Sequence, residues 1–219
     1  MNKAGQGEGE LEADKKRALA LTPVSRETNE RLNIYFLLLR TWQKKTNLVA
    51  SSTLRNIWTR HIADSLQLMP LAPGARVWVD LGSGGGFPGI PIACALADTP
   101  GAKVHLVESN GKKAAFLREV VRKLGLPAEV HQERAEKFGE SCAEAIDAVT
   151  ARALAPLKTL CDQAFPFIRN RAVGLFPKGQ DVAAELTEAA KCWRLEAETV
   201  PSVTSADSAI VVIRHLAPK

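Results

Sequence analysis

The chain has 219 residues, of which 46% are hydrophobic and 24% are charged, as is ordinary for a soluble globular protein. No apolar run reaches the roughly 18 residues that a membrane-spanning helix needs, and the first ten residues lack the apolar core of a signal peptide. We therefore expect a cytoplasmic protein with no membrane segment.

Neither the cysteines nor the histidines are spaced as in a disulfide framework or a metal site. The four cysteines include no C-x-x-C pair, which indicates reduced thiols, and the four histidines are scattered along the chain. We expect no metal and a monomeric protein.

The formal net charge of +5 is concentrated in the N-terminal third of the chain. Residues 31–63 contain six basic residues and no acidic one, with Tyr35, Trp42 and Trp58 interleaved. A basic face with aromatic side chains suits a phosphate backbone with unstacked bases, which predicts that this region faces RNA. The alternative is an amphipathic helix that packs its aromatic side chains inward and leaves its charges in solvent.

The first part of the chain predicts a helical extension. Residues 1–20, rich in Gly, Glu, Ala and Lys, predict a frayed or weakly helical stretch within a flexible N-terminal segment, residues 1–24. Apolar residues at helical spacing predict a helix from Ser25, as the N-cap, to about Lys45, and a second helix over 52–68. Prolines and a glycine then end the extension, which covers residues 25–74.

Strands and helices alternate over the remaining domain, residues 75–219. The pattern predicts strands at 76–81, 103–108, 128–132, 146–151, 172–177, 195–200 and 209–215, and helices at 89–97, 111–124, 156–169 and 180–192. Such alternation predicts an α/β fold with a doubly wound, Rossmann-like and mostly parallel sheet. No helix separates the last two strands, so we expect the final strand to be antiparallel.

A glycine-rich turn follows the first predicted strand at once. Residues 77–91 read Val-Trp-Val-Asp-Leu-Gly-Ser-Gly-Gly-Gly-Phe-Pro-Gly-Ile-Pro, a strand, a turn and the start of a helix. This is the layout of a nucleotide-type site, in which glycines such as Gly82 and Gly84 let the backbone approach a ligand closely. Five glycines in eight residues make a turn without a ligand the weaker alternative.

The acidic residue before the turn bears on the choice of ligand. Asp80 would repel the pyrophosphate of a dinucleotide, whereas a carboxylate helps to hold the ammonium and sulfonium groups of S-adenosylmethionine (SAM). Glu108, at the end of the second strand, is placed to accept both hydroxyls of a ribose, which SAM and NAD share. The residues therefore favour SAM, with an NAD-linked oxidoreductase as an alternative.

Basic residues follow other strand ends, where ligands bind in open α/β sheets. Lys112 opens the helix after Glu108, Arg152 follows the fourth strand, and Lys178 follows the fifth. Two strands that end in a basic residue indicate an anionic substrate, although side chains that merely reach solvent remain an alternative.

These motifs together resemble the RsmG (GidB) family of bacterial SAM-dependent methyltransferases of 16S ribosomal RNA. The resemblance runs from about Arg26 to the end of the chain, and its motifs occur in the family's order: Arg60-His61-Ile62-x-Asp64-Ser65, Asp80-Leu81-Gly82-Ser83-Gly84-x-Gly86-x-Pro88-Gly89-Ile90-Pro91, Glu108-Ser109-x-Gly111-Lys112, Ala151-Arg152-Ala153 and Lys178-Gly179. One departure is Val49, where the family usually has Thr after Asn-Leu.

The resemblance implies a class I methyltransferase fold with a helical N-terminal cap, and methylation of N7 of one guanine in 16S rRNA. The partner would be this RNA or the small ribosomal subunit. The implied cofactor residues are Gly82, Phe87, Glu108, Ala135, Glu136 and Arg152, beside Asp80 and Gly84 from the turn itself.

No catalytic acid or base is expected, because guanine N7 carries an unprotonated lone pair in the neutral base. The candidates for RNA or site-edge contacts are Arg60, His61, Lys112, Arg152 and Lys178. A non-enzymatic RNA-binding module also fits the basic extension, but it leaves the glycine turn unexplained.

Overall fold

The computed structural model describes residues 3–219, and their side chains from residue 7 onward. Its helices are α1 (Lys3–Leu21), α2 (Arg26–Gln43), α3 (Asp64–Leu66), α4 (Gly89–Leu96), α5 (Gly111–Leu124), α6 (Ala135–Ser141), α7 (Leu157–Ile168) and α8 (Val182–Ala189). Its strands are β1 (Val77–Leu81), β2 (Lys103–Val107), β3 (Ala128–His131), β4 (Ala148–Ala151), β5 (Val173–Lys178), β6 (Trp193–Pro201) and β7 (Ala209–Pro218). No helix in this part of the chain is long and apolar enough to cross a membrane.

The seven strands form one sheet in the order β3-β2-β1-β4-β5-β7-β6. The pairs from β3 to β5 are parallel, and β7 runs antiparallel to both β5 and β6. The doubly wound sheet with an antiparallel final strand is therefore confirmed. Because the first five strands are parallel, their carboxyl ends share one edge, and β1 and β4 are neighbours in its middle.

Every predicted strand and helix of the sheet region exists, with ends that lie within three residues of the prediction. One further helix, α6, was not predicted. It has seven residues, including a glycine, and buries only Ala135, Phe138 and Gly139. A helix this short shows too few apolar repeats for the periodicity to be seen.

The N-terminal segment, for which a frayed or weakly helical stretch was predicted, forms helix α1 over residues 3–21. The Asp14 carboxylate is 2% exposed and accepts hydrogen bonds from the Trp58 backbone N–H, at 2.9 Å, and from the Thr59 hydroxyl, at 2.6 Å. Ala18 is buried beside it. Asp14 and Ala18 therefore hold this helix against the rest of the chain. Neither has a large apolar side chain, so the sequence lacks the apolar periodicity that usually indicates a packed helix.

The predicted helix over 52–68 is broken into turns of different width. Ser51–Asn56 is a 3₁₀ turn, Trp58–Ala63 has π-helical hydrogen bonding, and α3 completes the segment. Departures from α-helical bonding of this kind often mark functional sites. Here the wide turn carries Arg60 and His61.

The aromatic residues of the basic stretch point inward, so their predicted role in stacking RNA bases is wrong for two of the three. Tyr35 is fully buried and Trp58 is 1% exposed, within a core that also contains Phe116 of α5. Trp42 is partly buried and donates its indole N–H to Glu119 at 3.1 Å. The N-terminal helices and the sheet region therefore share one hydrophobic core.

Candidate active site at the carboxyl edge of the sheet

A cavity of about 910 Å³ lies at the carboxyl ends of β1, β4 and β5. The glycine turn forms one wall, and the loop 152–156 after β4 forms another. The N-terminal extension supplies the third wall through residues 48–50 and 60–61. The extension therefore completes the cavity, although a position directly at the site was predicted only for Arg60 and His61.

The glycine turn has a backbone path that only glycine adopts without strain. Gly82, Gly84 and Gly86 have φ angles of +67°, +57° and +96°. A Cβ atom at Gly84 would meet only the Gly82 carbonyl oxygen, 3.7 Å away, so this position faces open space in the cavity. At Gly82 it would lie 2.6 Å from Cδ1 of Leu154, because the loop after β4 packs closely on the turn.

Tyr35 of α2 holds the glycine turn from below. Its hydroxyl donates a hydrogen bond to the Gly85 carbonyl oxygen at 2.5 Å, and burial raises the pKa of this phenol well above 10.0, so it stays protonated and donates. Tyr35 was predicted to be an RNA-facing aromatic residue, and this supporting function was missed. No local motif marks it, because the hydrogen bond joins residues 50 positions apart.

Asp80 lies beneath the turn rather than in the cavity. It is 1% exposed, and its Oδ2 accepts from the Gly89 backbone N–H at 3.0 Å, at the start of α4. Its Oδ1 accepts from the Thr150 hydroxyl at 3.2 Å. Burial raises the pKa of Asp80 from 3.8 to about 7. This carboxylate was predicted to hold the positive charge of the cofactor; in the structure its hydrogen bonds join β1, just before the turn, to the start of α4 and to β4.

Glu108 stands at the end of β2, beside the turn. Its Oε2 accepts from the Gly84 backbone N–H at 2.8 Å, and its Oε1 accepts from the Asn110 backbone N–H at 2.7 Å. Each carboxylate oxygen has a second acceptor position, so both oxygens can still accept one hydroxyl each. The structure therefore places a carboxylate with free acceptor positions next to the open space at Gly84.

Arg152 joins the sheet to the N-terminal extension. Its guanidinium donates to His61 Nδ1 at 2.5 Å and to the Arg60 carbonyl oxygen at 3.2 Å, and it lies 5.3 Å from the centre of the Phe87 ring. The centre of the His61 ring lies 4.9 Å from the centre of the same Phe87 ring. Three residues that were predicted separately, Phe87, His61 and Arg152, thus form one cluster on the cavity wall.

The protonation state of His61 follows from its partners. Burial and the nearby Arg152 and Arg60 lower its pKa from 6.5 to about 3, so the ring is neutral at physiological pH. Because Arg152 can only donate, His61 Nδ1 is the acceptor, and Nε2 carries the hydrogen that is donated to the Thr53 hydroxyl at 2.8 Å. Both ring nitrogens are therefore occupied within the protein.

Asp64 neutralises Arg152 and ties the cluster to the far end of the chain. Its Oδ2 lies 3.2 Å from the Arg152 guanidinium. Its Oδ1 accepts from the Thr204 hydroxyl and from the Gln67 amide, each at 2.8 Å. The network thus spans the extension, β4 and the loop before β7.

The remaining predicted residues occupy different places. Lys178 lines the cavity but is tied down, since its ammonium donates to the Ala155 carbonyl oxygen and pairs with Glu185 at 2.7 Å. Lys112 is exposed and lies outside this cavity, in a second one of about 530 Å³ beside Trp42. Ala135 and Glu136 begin α6, and neither lines the main cavity.

The sheet order, the glycine turn after β1 and the acidic residue after β2 define a class I SAM-dependent methyltransferase fold. Solved structures share it: the O-methyltransferase TomG from Streptomyces achromogenes, in complex with SAM, has a TM-score of 0.60 at 13% identity and covers 98% of this chain and 100% of its own. The cofactor-bound protein Rv0187 from MTB has a TM-score of 0.58 at 17% identity, with coverages of 85% and 90%.

The chain belongs to the GidB family, rRNA small subunit methyltransferase G, whose profile matches residues 28–216. A ribosomal RNA small subunit methyltransferase G from Bradyrhizobium sp. strain BTAi1 is 58% identical over 203 residues, which cover 93% of this chain and 91% of the relative. One from Nitrobacter winogradskyi is 57% identical over 203 residues, with coverages of 93% and 73%. The resemblance that the motifs indicated is confirmed.

The buried Asp80 predicts a pH dependence of stability. Its pKa is higher in the folded chain, at about 7, than in the unfolded chain, near 3.8. The contribution of protonated Asp80 to the free energy of unfolding is therefore fully present below about pH 4. It falls as the pH rises to about 7, by up to about 1.4 kcal/mol per pH unit. Asp80→Asn keeps an acceptor for the Gly89 N–H and removes the titration.

Urea unfolding from pH 4.5 to 8 measures this effect. The free energy of unfolding of the wild type should fall relative to that of Asp80→Asn from pH 4.5 to about pH 7 and then level off, while the exposed control Asp207→Asn should parallel the wild type. Parallel curves for wild type and Asp80→Asn would show that Asp80 is ionised in the folded protein.

Proposed function

We propose that the protein transfers a methyl group from SAM to N7 of one guanine in the 16S rRNA of the small ribosomal subunit. The observation that carries this proposal is the hydrogen bond from the Gly84 N–H to Glu108, which fixes a carboxylate beside the open face of the glycine turn. The family supports the ribosomal RNA substrate.

The residues at the turn fit SAM. The space at Gly84 admits an approaching ligand, and the free acceptor positions of Glu108 suit the two ribose hydroxyls. Ala135 and Glu136 at the start of α6 are proposed to contact the adenine. Gly82, Phe87 and Arg152 line the cavity where the rest of the cofactor and the target base would meet.

The cavity suits a reaction that needs no proton transfer. SAM supplies a methyl group on a positively charged sulfur, and guanine N7 offers a lone pair without losing a proton. The protein's task is to align these groups and to exclude water. The neutral His61 has both nitrogens bonded, and Asp64 is engaged by Arg152 and Thr204, so neither is free to act as a base.

The N-terminal extension is proposed to face the RNA. Six of its basic side chains are exposed, and Arg26 among them pairs with Glu30; the other five are Arg40, Lys44, Lys45, Arg55 and Arg60. None of these five forms an ion pair within residues 7–219, so their charge is available to an anionic partner. Arg60 also lines the cavity, which connects this surface to the site of transfer.

The first prediction from this proposal concerns cofactor choice. SAM should bind in calorimetry and NAD should bind poorly. Glu108→Ala should weaken SAM binding by about one to a few orders of magnitude, because each of the two charge-assisted hydrogen bonds contributes at most about 1.5–3 kcal/mol. The exposed Glu196→Ala is the matched control and should bind SAM as the wild type does. Tight NAD binding without SAM binding would overturn the proposal, and unchanged SAM affinity in Glu108→Ala would remove Glu108 from the site.

The second prediction concerns the RNA-facing surface. Replacing its five exposed basic residues by Gln should keep SAM binding and weaken RNA binding. The salt dependence of RNA affinity should become flatter, by about one unit of slope for each phosphate that the variant no longer neutralises. Filter binding across a salt series, beside SAM calorimetry on the same proteins, measures both effects.

The matched control neutralises five other exposed basic residues: Arg76, Arg169, Lys191, Arg194 and Lys219. This control should retain both the RNA affinity and the salt slope of the wild type. If the two quintuple variants behave alike, the extension does not form the RNA-binding surface.

A further inference from the structure

A second cluster of polar side chains lies away from the cavity, where β2 pairs with the edge strand β3. Side chains two residues apart in a strand share a face, and the parallel register places His105 beside Glu129. Lys103, His105, Glu129 and His131 therefore meet on one face of the sheet. Glu144, from the segment between α6 and β4, joins them.

The two histidines are in direct contact. His105 Nδ1 lies 2.9 Å from His131 Nε2, and His131 Nε2 lies 4.0 Å from Glu129 Oε2. One nitrogen from each ring and one oxygen of Glu129 lie within 4.8 Å of one another. Metal bonds of about 2.0–2.2 Å in tetrahedral geometry place ligand atoms roughly 3.3–3.6 Å apart, so small side-chain rotations bring the three atoms to one ion.

Glu144 selects the ring nitrogen of His105 that is free to bind a metal. Its Oε2 lies 3.0 Å from His105 Nε2, and a carboxylate can only accept, so Nε2 carries the hydrogen. The lone pair of His105 is then on Nδ1, which accepts a hydrogen bond from His131 Nε2–H when no metal is bound. For both nitrogens to bind an ion, the hydrogen of His131 moves from Nε2 to Nδ1. Metal-binding histidines almost always donate their other ring N–H to a carboxylate or carbonyl, as His105 does to Glu144.

We propose that His105 Nδ1, His131 Nε2 and Glu129 bind a divalent transition-metal ion of the Zn²⁺ type, with Glu144 as the positioning residue for His105. Two imidazoles and a carboxylate are a donor set that suits Zn²⁺. His105 is buried, whereas the Glu129 side chain is 56% exposed, so the ion has a path from solvent. Such a site would fasten the edge strand β3 to β2.

Lys103 supplies the positive charge of the cluster when no metal is bound. Its ammonium lies 3.2 Å from Glu129 Oε2 and 2.8 Å from Glu144 Oε2. A bound ion would compete with it for Glu129, so removing the ammonium should strengthen metal binding. If the cluster were only an ion-pair network, removal of Lys103 would lower the stability of the protein, because its carboxylates would lose their partner, and it would produce no metal binding.

The prediction of no metal site rested on the spacing of histidines along the chain. Residues 105 and 131 are 26 positions apart and adjacent only through the register of β2 and β3. The proposed site also lies outside the main cavity, so metal binding can be tested independently of the methyltransferase activity.

The test uses the chain without a histidine tag, stripped with a chelator and titrated with Zn²⁺ by calorimetry and with Co²⁺ by absorption spectroscopy. One equivalent should bind, and the Co²⁺ spectrum should lack a thiolate band. His131→Ala should weaken binding at least tenfold, and Glu144→Gln by about 10–100-fold. Lys103→Met should bind more tightly than the wild type.

Matched variants separate the site from other ligands on the surface. His215→Ala removes an exposed histidine of β7 and should leave the affinity unchanged. If His131→Ala does not fold, as judged by thermal unfolding, the exposed Glu129→Gln replaces it, with the same expected weakening. Failure of the wild type to bind one equivalent, or unchanged affinity in these ligand variants, overturns the proposal.

Discussion

The structure depends on the way the glycine turn after β1 is held open. Three side chains from different elements bond to its backbone: Tyr35 to the Gly85 carbonyl oxygen, Glu108 to the Gly84 N–H and Asp80 to the Gly89 N–H. Glycines in left-handed conformations do not fix a turn by themselves, because glycine has more backbone conformations available in the unfolded chain than other residues. The hydrogen bonds from these three buried side chains hold the turn in one conformation. The space for a ligand at Gly84 follows from this arrangement.

Arg152 links that turn to the N-terminal extension. Removing the extension would leave the partly buried Arg152 guanidinium without Asp64 and His61, and it would open the wall of the cavity. The Arg152 cluster therefore both lines the cavity and joins the extension to the sheet. The same arrangement explains how a surface rich in basic residues can be positioned against the cavity. Because Arg60 bonds through its backbone to Arg152, its side chain remains free for the proposed contact with RNA.

Much of the fold was predictable from the sequence, because buried parallel strands and amphipathic helices leave periodic patterns. The glycine turn and Glu108 were also predictable, since both follow strand ends that the patterns locate. Tyr35, α1 and the cluster of His105 with His131 were not, because each depends on contacts between distant parts of the chain. Asp80 shows a further limit: a pattern locates a carboxylate at the turn without indicating that its side chain lies beneath it.

The most direct test of the proposed reaction identifies the methylated atom. Small ribosomal subunits and their isolated RNA, both lacking the modification, would be incubated with the protein and isotope-labelled SAM, digested to nucleosides and analysed by mass spectrometry. We expect the label in 7-methylguanosine, at one residue per RNA molecule, with at least one of the two substrates. Label on another atom or another nucleoside, or no transfer to either substrate, would contradict the proposed reaction.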